Sequence, residues 1–288
     1  MRVDRFLTLY FFGPLIRATQ RNMGLRIPVL MYHSISDTRE NGVHPYYQIN
    51  TAPKIFEEQM LFLCENDYSV ISLSEAVDLL SHDNSITKPT TQPFNHTTPQ
   101  RKPVVLTFDD GYRDFYTYAF PVLKKHGFTA TVFLPTAFID KTGPGLKGKE
   151  HLSWSEIREM QAEGITFGSH TVNHFQLTKL SKNEIKHEVT MSKEIIEAMT
   201  GNLVESFSYP YAFPENNKGF ILDLKTLIEA TGYLNGVTTI LGTAGILDDK
   251  FLLKRIPVNS FDDSYFFEAK LKGHYNWIHG IQLLKKFL

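Results

Sequence analysis

Short apolar segments alternate with amphipathic segments along most of this chain. Residues 27–35 (IPVLMYHSI) and 103–108 (PVVLTF) are typical of strands buried on both faces, whereas 181–201 carries apolar residues at helical spacing. Buried strands separated by helices form parallel sheets that helices cover. Seven or eight such units favour a closed α/β barrel over an open doubly wound sheet. No glycine-rich phosphate loop follows the first strand to support the open sheet.

The chain of 288 residues is long enough for one such barrel, which typically takes about 250 residues. We therefore expect a single domain over 27–288, with a polar, proline-containing surface loop at 82–102. An apolar and basic segment, 1–26, precedes this domain. Ser74 is the predicted N-cap of a helix that continues through Leu80, and Ser181 and Glu184 have the spacing of a capping box. No repeat is visible, and the sequence gives no oligomeric state.

The apolar stretch 6–16 within that first segment is about half as long as a membrane span. Pro14 and two arginines follow without a small-x-small cleavage site, which argues against a secretory signal. We expect a short amphipathic helix that docks on the domain or on a membrane surface, and a signal anchor remains an alternative. A cytoplasmic or membrane-associated location is therefore expected rather than secretion.

Charge and cysteine content limit the possible partners. The 30 basic and 31 acidic residues give a net charge of -1, so no basic excess indicates a nucleic-acid partner. The single cysteine, Cys64, excludes a disulfide within the chain and a cysteine-based zinc site.

Several predicted strands end in polar, reactive residues. Sites of α/β barrels lie at the carboxyl ends of the strands, so these side chains are expected to face one rim. The motif HTVNH also places a second histidine four residues after the first. The residues concerned are His33, Asp109, Asp110, His170, His174, Tyr209 and Tyr211.

Two imidazoles and one carboxylate are typical ligands of a mononuclear zinc-like site with open positions for water and substrate. A dication would neutralise one of the adjacent aspartates, so that the other could stay charged beside it. We predict Asp110 as the ligand and Asp109 as the general base for a water whose pKa the metal lowers toward about 7. For one of the two aspartates, a helix N-cap is the alternative.

Three motifs resemble those of the polysaccharide deacetylase family (carbohydrate esterase family 4, the NodB homology domain). They are TFDDGY at 107–112, HTVNH at 170–174 and YPYA at 209–212, in the family's order. The resemblance extends over roughly 27–258. It implies a distorted (β/α)7 TIM-like barrel of the NodB type and metal-dependent N-deacetylation of N-acetylhexosamine units.

The resemblance also implies roles for individual residues. Asp109 would be the base, and Asp110, His170 and His174 would hold a divalent ion, with zinc expected and cobalt or nickel as alternatives. The backbone N–H of Tyr211 would help to hold the oxyanion. The implied partner is an N-acetylated glycan of a bacterial cell-envelope pathway.

The chain departs from the family pattern at two points. The third motif usually carries an arginine that orients the catalytic aspartate, but Ser208 and Tyr209 stand there, and we predict Arg255 as the replacement. The late Leu-x-His motif that supplies the general acid is not evident. The opening PVLMYHSI resembles the poly-N-acetylglucosamine deacetylase branch, in which an early histidine lines the pocket, so His33 is the predicted general acid.

Three functions follow as hypotheses. The first is an N-deacetylase of an exopolysaccharide, capsule or cell-wall glycan. The second keeps the chemistry but acts on a lipid-linked amino sugar, as a deacetylase or deformylase, or on another small C–N substrate. The third is a non-catalytic carbohydrate-binding relic, against which the retained Asp109 argues.

Overall fold

Seven parallel strands close into a barrel in the computed structural model, which describes residues 2–19, 24–38, 40, 42–82, 101–143 and 145–287. The strands follow the chain as β1 to β7, and their order around the barrel is β1-β7-β6-β5-β4-β3-β2, with β2 pairing back to β1. They are β1 (Val29–Tyr32), β2 (Lys102–Phe108), β3 (Thr131–Leu134), β4 (Thr166–Ser169), β5 (Ser206–Ser208), β6 (Asn235–Leu241) and β7 (Leu253–Pro257).

The closed ring of seven strands confirms the predicted (β/α)7 barrel. The barrel is distorted because its strand pairing is irregular. The pairing of β6 with β7 shifts register between Val237 and Leu241. An eighth strand, Tyr68–Val70, extends the sheet outside the ring by pairing with β2. Two short pairs lie apart from it, Arg26–Ile27 with Ala244–Gly245 and Ser34–Ile35 with Asn50–Thr51.

Helices cover the outside of the barrel between successive strands. Three of them begin with a complete capping box, Ser72 with Glu75, Ser153 with Glu156 and Ser181 with Glu184, the last as the sequence predicts. The helices are α1 (Pro53–Glu65), α2 (Leu73–His82), α3 (Phe120–His126, after a π-helical turn Phe115–Ala119), α4 (Trp154–Ala162), α5 (Lys182–Thr200), α6 (Lys218–Ala230) and α7 (Ser264–Leu271).

The cap of α2 differs from the sequence-based expectation. Ser74 was the predicted N-cap, but the hydroxyl of Ser72 accepts from the Glu75 N–H at 3.2 Å, and the Glu75 carboxylate accepts from the Ser72 N–H at 2.8 Å. Ser74 instead donates to Glu205. Two serines two positions apart offer the same local signal, and the tertiary contact decides between them.

The barrel interior and the helical shell form separate apolar clusters. Val29, Val105 and Phe133 pack inside the barrel together with Leu73 and other residues of α2. Because α2 shares this cluster and its first residues lie beside the starts of β3, β4 and β5, it closes the amino-terminal end of the barrel. The carboxyl end is left for the polar residues.

The N-terminal segment forms a helix over 3–19, built from Val3–Leu7, a π-helical turn Thr8–Phe12 and Gly13–Thr19. It packs on the barrel flank beside a C-terminal helix, Ile278–Phe287. Within the described residues, no helix is both long and apolar enough to cross a bilayer. The predicted loop at 82–102 falls almost wholly on 83–100, outside the described residues.

Candidate active site

The predicted site residues gather at the carboxyl end of the barrel. Asp109 and Asp110 follow β2 directly, and His33 follows β1. His170 follows β4 and Arg255 lies within β7. The remaining two, His174 and Tyr211, lie in the loops after β4 and β5.

Arg255 binds the Asp109 carboxylate with two parallel hydrogen bonds. Its Nη1 and Nη2 each lie 2.7 Å from one oxygen of Asp109. Nε donates to the Thr238 carbonyl at 2.9 Å, and the guanidinium also donates to the hydroxyls of Thr107 and Ser208. This fork geometry holds both the position and the plane of the carboxylate.

The ion pair also sets the charge of Asp109. Arg255 is 0% exposed, so both partners lie in a low-dielectric environment. Burial alone would raise the pKa of the Asp109 carboxyl, but the charge and hydrogen bonds of Arg255 outweigh burial and hold it below its usual value. Asp109 is therefore a carboxylate able to accept a proton.

Asp110 faces the two histidines instead. Its Oδ1 lies 3.5 Å from Nε2 of His170 and 3.2 Å from Nε2 of His174. One donor atom from each of the three side chains lies within 4.8 Å of the others. Asp110 Oδ1 is buried and makes no hydrogen bond of acceptable geometry. These donors fit a zinc-like dication, because a carboxylate oxygen and two imidazole nitrogens converge on one point.

The tautomer of His170 is fixed by its second nitrogen. Nδ1 lies 2.8 Å from the Ser208 carbonyl oxygen, and because a carbonyl only accepts, Nδ1 carries the proton. Nε2 is then free to act as a ligand. The same arrangement, a ligating imidazole that donates through its other nitrogen, is general in metal sites.

Left-handed backbone conformations cluster at the site. Asp110, Thr171, His174 and Tyr211 have φ values of 71°, 68°, 55° and 60°. Each non-glycine residue of this kind costs on the order of 1 kcal/mol or more, and such residues concentrate at functional sites. Gly111 follows with φ 58°, and a Cβ there would approach Leu134 to 3.0 Å.

Glu188 holds the loop between the two histidines, and the sequence interpretation missed it. The buried carboxylate accepts from the N–H groups of Val172 and Asn173 at 2.9 and 2.8 Å and from the Asn173 side chain at 2.7 Å. Thr171 adds an acceptor for the His174 N–H at 3.0 Å. The signal was a glutamate at an apolar-face position of α5, beside Ile185 and Val189.

His33 lies beside the Asp109 carboxylate without touching it. Nε2 is 3.9 Å from Asp109 Oδ2, and the side chain is 20% exposed toward the mouth. Burial is the main cause that lowers the pKa of this imidazole. The separation leaves room for a water or a substrate atom between the two groups.

Tyr211 presents its backbone rather than a fixed side-chain contact. Its N–H has no acceptor among the residues that the structure describes. Thr239 fixes the turn, since its hydroxyl donates to the Tyr211 carbonyl at 3.0 Å and accepts from the Phe213 N–H at 2.8 Å. The Tyr211 ring lies 4.9 Å from the ring of His174.

A fourth histidine near the site, His151, also escaped the sequence interpretation. Its ring centroid is 5.2 Å from that of Tyr112, two residues after Asp110. Burial lowers the pKa of His151 to about 4, so it is neutral at pH 7. By contrast, His274 lies against Gly13 of the N-terminal helix, and His279 lies 2.6 Å from Glu215 in the loop after β5.

Comparisons with known proteins identify the same family as the motifs. Residues 96–227 match the family model described as polysaccharide deacetylase. The putative polysaccharide deacetylase YxkH of Bacillus subtilis is 32% identical over 234 residues, which are 81% of this chain and 72% of that protein.

Two further matches concern an enzyme and a fold. The poly-beta-1,6-N-acetyl-D-glucosamine N-deacetylase of Escherichia coli is 28% identical over 50% of this chain but only 20% of its own length. The structure of the Streptococcus pyogenes deacetylase PplD in complex with acetate superposes with a TM-score of 0.68 at 24% identity, covering 86% of this chain and 99% of that one. The second likeness shows the fold alone. From the motifs, the barrel and the relative that it matches over most of its length, the chain belongs to the polysaccharide deacetylase family.

Proposed function

We propose that this protein is a metal-dependent N-deacetylase that hydrolyses acetamide groups of an N-acetylated glycan. One observation carries the proposal: ligand atoms of the buried Asp110 and His170 and the partly buried His174 converge directly beside a carboxylate that Arg255 holds charged. Membership of the deacetylase family supports the reaction class. The name of the Escherichia coli relative supports N-acetylglucosamine polymers as the first substrates to test.

Asp110, His170 and His174 are the residues that would hold the ion. A divalent ion bound there would polarise the acetamide carbonyl and lower the pKa of a bound water toward about 7. Zinc fits this ligand set well, and cobalt and nickel accept the same donors.

Asp109 is the proposed general base. Its Oδ2 faces His33 across the mouth, while Arg255 and Ser208 fix the carboxylate from behind. Asp109 accepts the proton of the attacking water, and the water oxygen forms a bond to the acetamide carbon. A base positioned in this way typically accelerates a reaction by about 10²–10⁴-fold.

The Tyr211 N–H is the proposed oxyanion donor. It is held in a left-handed turn by Thr239 and has no acceptor among the described residues, so it can donate to the tetrahedral oxygen. One preorganised donor of this kind typically contributes about 2.7–4 kcal/mol to barrier lowering.

The proton must finally reach the leaving amine as the C–N bond breaks. We assign this transfer to His33, which lies on the exposed side of Asp109 and can pass a proton between the carboxylate and the substrate nitrogen. The products are acetate and a free amino sugar. A His33→Ala enzyme that keeps full turnover would remove this assignment.

The direct test is release of acetate from short N-acetylglucosamine oligomers by metal-loaded protein. Loss of activity on chelation, and its recovery with zinc, would support metal dependence. Absence of acetate release would contradict the glycan substrate.

A lipid-linked amino sugar remains the second candidate substrate. It is favoured by the exposed apolar side chains of the two terminal helices, which extend toward the barrel mouth. Mass spectrometry of a panel of acetylated oligosaccharides and lipid-linked sugars, scored for loss of one acetyl group, separates the two substrates.

A further inference from the structure

The two terminal helices lie side by side on the barrel flank. Trp277 joins them, because its ring stacks on Phe12 with centroids 4.4 Å apart and its Nε1 donates to Thr8 at 2.9 Å. A groove of about 510 Å³ runs between the helices. It is lined by Leu7, Phe11, Phe12, Trp277, Gly280, Ile281 and Leu284.

The outward faces of this pair are strongly apolar. We call these faces together the terminal-helix surface. Its most exposed residues have between 53% and 70% of their surface accessible to solvent. Single exposed apolar residues are ordinary, but a contiguous set marks an interaction site. The members are Val3, Tyr10, Phe11, Leu15 and Leu284.

Among the described residues, the two helices carry exposed cations without an ion pair but no acidic residue without one. Arg5 pairs with Asp263 at 2.5 Å, and His279 lies 2.6 Å from Glu215. Arg17 and Lys285 are exposed, and neither forms an ion pair with any described residue. The only acidic residue of the two helices is Asp4. It is already engaged by Arg2 at 2.6 Å and by the Tyr275 hydroxyl at 2.9 Å.

The surface is fixed to the folded barrel. Arg2 bonds Asp262 at 3.2 Å, and Asp262 bonds the buried Lys270 at 2.7 Å. Gly13 lets the helix approach closely, because a Cβ there would lie 3.2 Å from His274. The exposed side chains therefore point outward as one face of the folded protein.

The surface also reaches the mouth of the barrel. Val3 and Ile281 line a second cavity together with Tyr47 and Ala212, and Ala212 directly follows Tyr211 of the proposed site. Whatever binds the terminal-helix surface thus lies close to the entrance of the site.

An anionic lipid bilayer matches this chemistry. Helices that lie in the membrane interface carry aromatic and aliphatic residues on one face and arginine or lysine at its edges. Tyrosine and phenylalanine suit the boundary between headgroups and acyl chains. If a second copy bound through the same face, the cations at the edges of the two identical surfaces would instead be brought close together.

We propose that the terminal-helix surface docks the folded protein on an anionic bilayer with the barrel mouth beside the headgroups. This inference is independent of the proposed reaction. The test is co-sedimentation of the full chain with vesicles of phosphatidylglycerol and phosphatidylethanolamine, against vesicles of phosphatidylcholine alone. We compare wild type with Phe11→Glu/Leu284→Glu. The matched control is Leu203→Glu/Leu247→Glu, at sites 81% and 91% exposed away from the helices.

The expected result is binding of wild type and control to the anionic vesicles and at least about tenfold weaker binding of the Phe11→Glu/Leu284→Glu variant, since two apolar anchors are lost. Added salt should weaken the binding of wild type. Equal binding by both double variants, or no preference for anionic lipid, would overturn the proposal. So would a wild-type dimer in analytical ultracentrifugation that only the Phe11→Glu/Leu284→Glu variant abolishes. Circular dichroism and release of acetate from soluble oligomers show that each variant is folded.

Discussion

The two neighbouring aspartates of the site occupy opposite kinds of environment. Asp109 receives its cation from the protein itself, as the bidentate Arg255. Asp110 faces two imidazoles that carry a positive charge only when protonated. Both carboxyls are buried, and the pKa of each is held below its usual value against the effect of burial. Two acids can therefore stand side by side at a strand end: Asp109 has an internal counter-ion, and the proposed metal ion would supply the counter-ion of Asp110.

The largest expected effect comes from removing Asp109, the proposed base. Asp109→Asn should lower turnover by about 10²–10⁴-fold because the amide cannot accept the proton. Acetate release per folded molecule is the measurement. Asp262→Asn is the matched control, since it also breaks a buried ion pair, with Lys270, but lies outside the catalytic set. If both variants lost the same fraction of turnover, the base assignment would be wrong.

Removing Arg255, the internal cation, should lower the stability of the fold as well as the reaction rate. Arg255→Met leaves the Asp109 charge buried and unpaired, so the free energy of unfolding should fall by about 3–5 kcal/mol. The loss is measured by urea denaturation. Adding Asp109→Asn to this variant should recover part of it, because the unpaired charge is gone. A double variant less stable than the sum of the two singles would contradict the internal counter-ion.

The positions of His170 and His174 depend on the loop between them, which Glu188 holds. Glu188→Gln removes the charge and replaces one of the two acceptor oxygens with an NH2 group, so the three donors of Val172 and Asn173 cannot all be satisfied and zinc affinity should fall by about 10–100-fold. Competition with a chelator measures the affinity. Glu184→Gln, an exposed change on the same helix, should leave it unaltered. Similar affinity in both variants would remove Glu188 from the support of the site.

Asp4 provides a smaller example of a carboxylate with an internal cation, far from the chemistry. Burial would raise the pKa of Asp4, but the hydrogen bond and charge of Arg2 lower it. A folded-state pKa below the unfolded one means that the stabilisation is present above the usual aspartate pKa and is lost as pH falls through the lowered value. The stability difference between wild type and Asp4→Asn, about 1 kcal/mol at pH 7, should therefore disappear in acid. A stability difference that persisted unchanged at low pH would argue against the Arg2–Asp4 ion pair.

Much of the barrel was predictable because buried parallel strands and amphipathic helices leave different spacings in the sequence. The cluster of Asp110, His170 and His174 was predictable too, since these residues lie within short motifs next to strand ends. The partnership of Arg255 with Asp109 joins residues 146 apart in the chain. The sequence suggested this pair only because the family's usual arginine is replaced.

Glu188 and His151 were missed for a different reason. Neither lies in a motif, and each acts through a contact between separate elements: Glu188 reaches from α5 to the loop after β4, and His151 packs on Tyr112. The prediction of the α2 N-cap failed for the same reason, because Ser72 and Ser74 differ only in their tertiary contacts. The spacing of residues in the sequence indicates which face of a helix or strand a residue lies on. It does not indicate which backbone groups a buried carboxylate will contact.

The central claim is that Asp110, His170 and His174 hold a divalent ion while Asp109 remains free to accept a proton. The most direct measurement is metal content by inductively coupled plasma mass spectrometry, after zinc loading and dialysis, of wild type, Asp109→Asn and Asp110→Asn. The account predicts about one ion per chain in wild type and in Asp109→Asn, and loss of most of it in Asp110→Asn. Full occupancy in Asp110→Asn, or loss of the ion in Asp109→Asn, would contradict the claim.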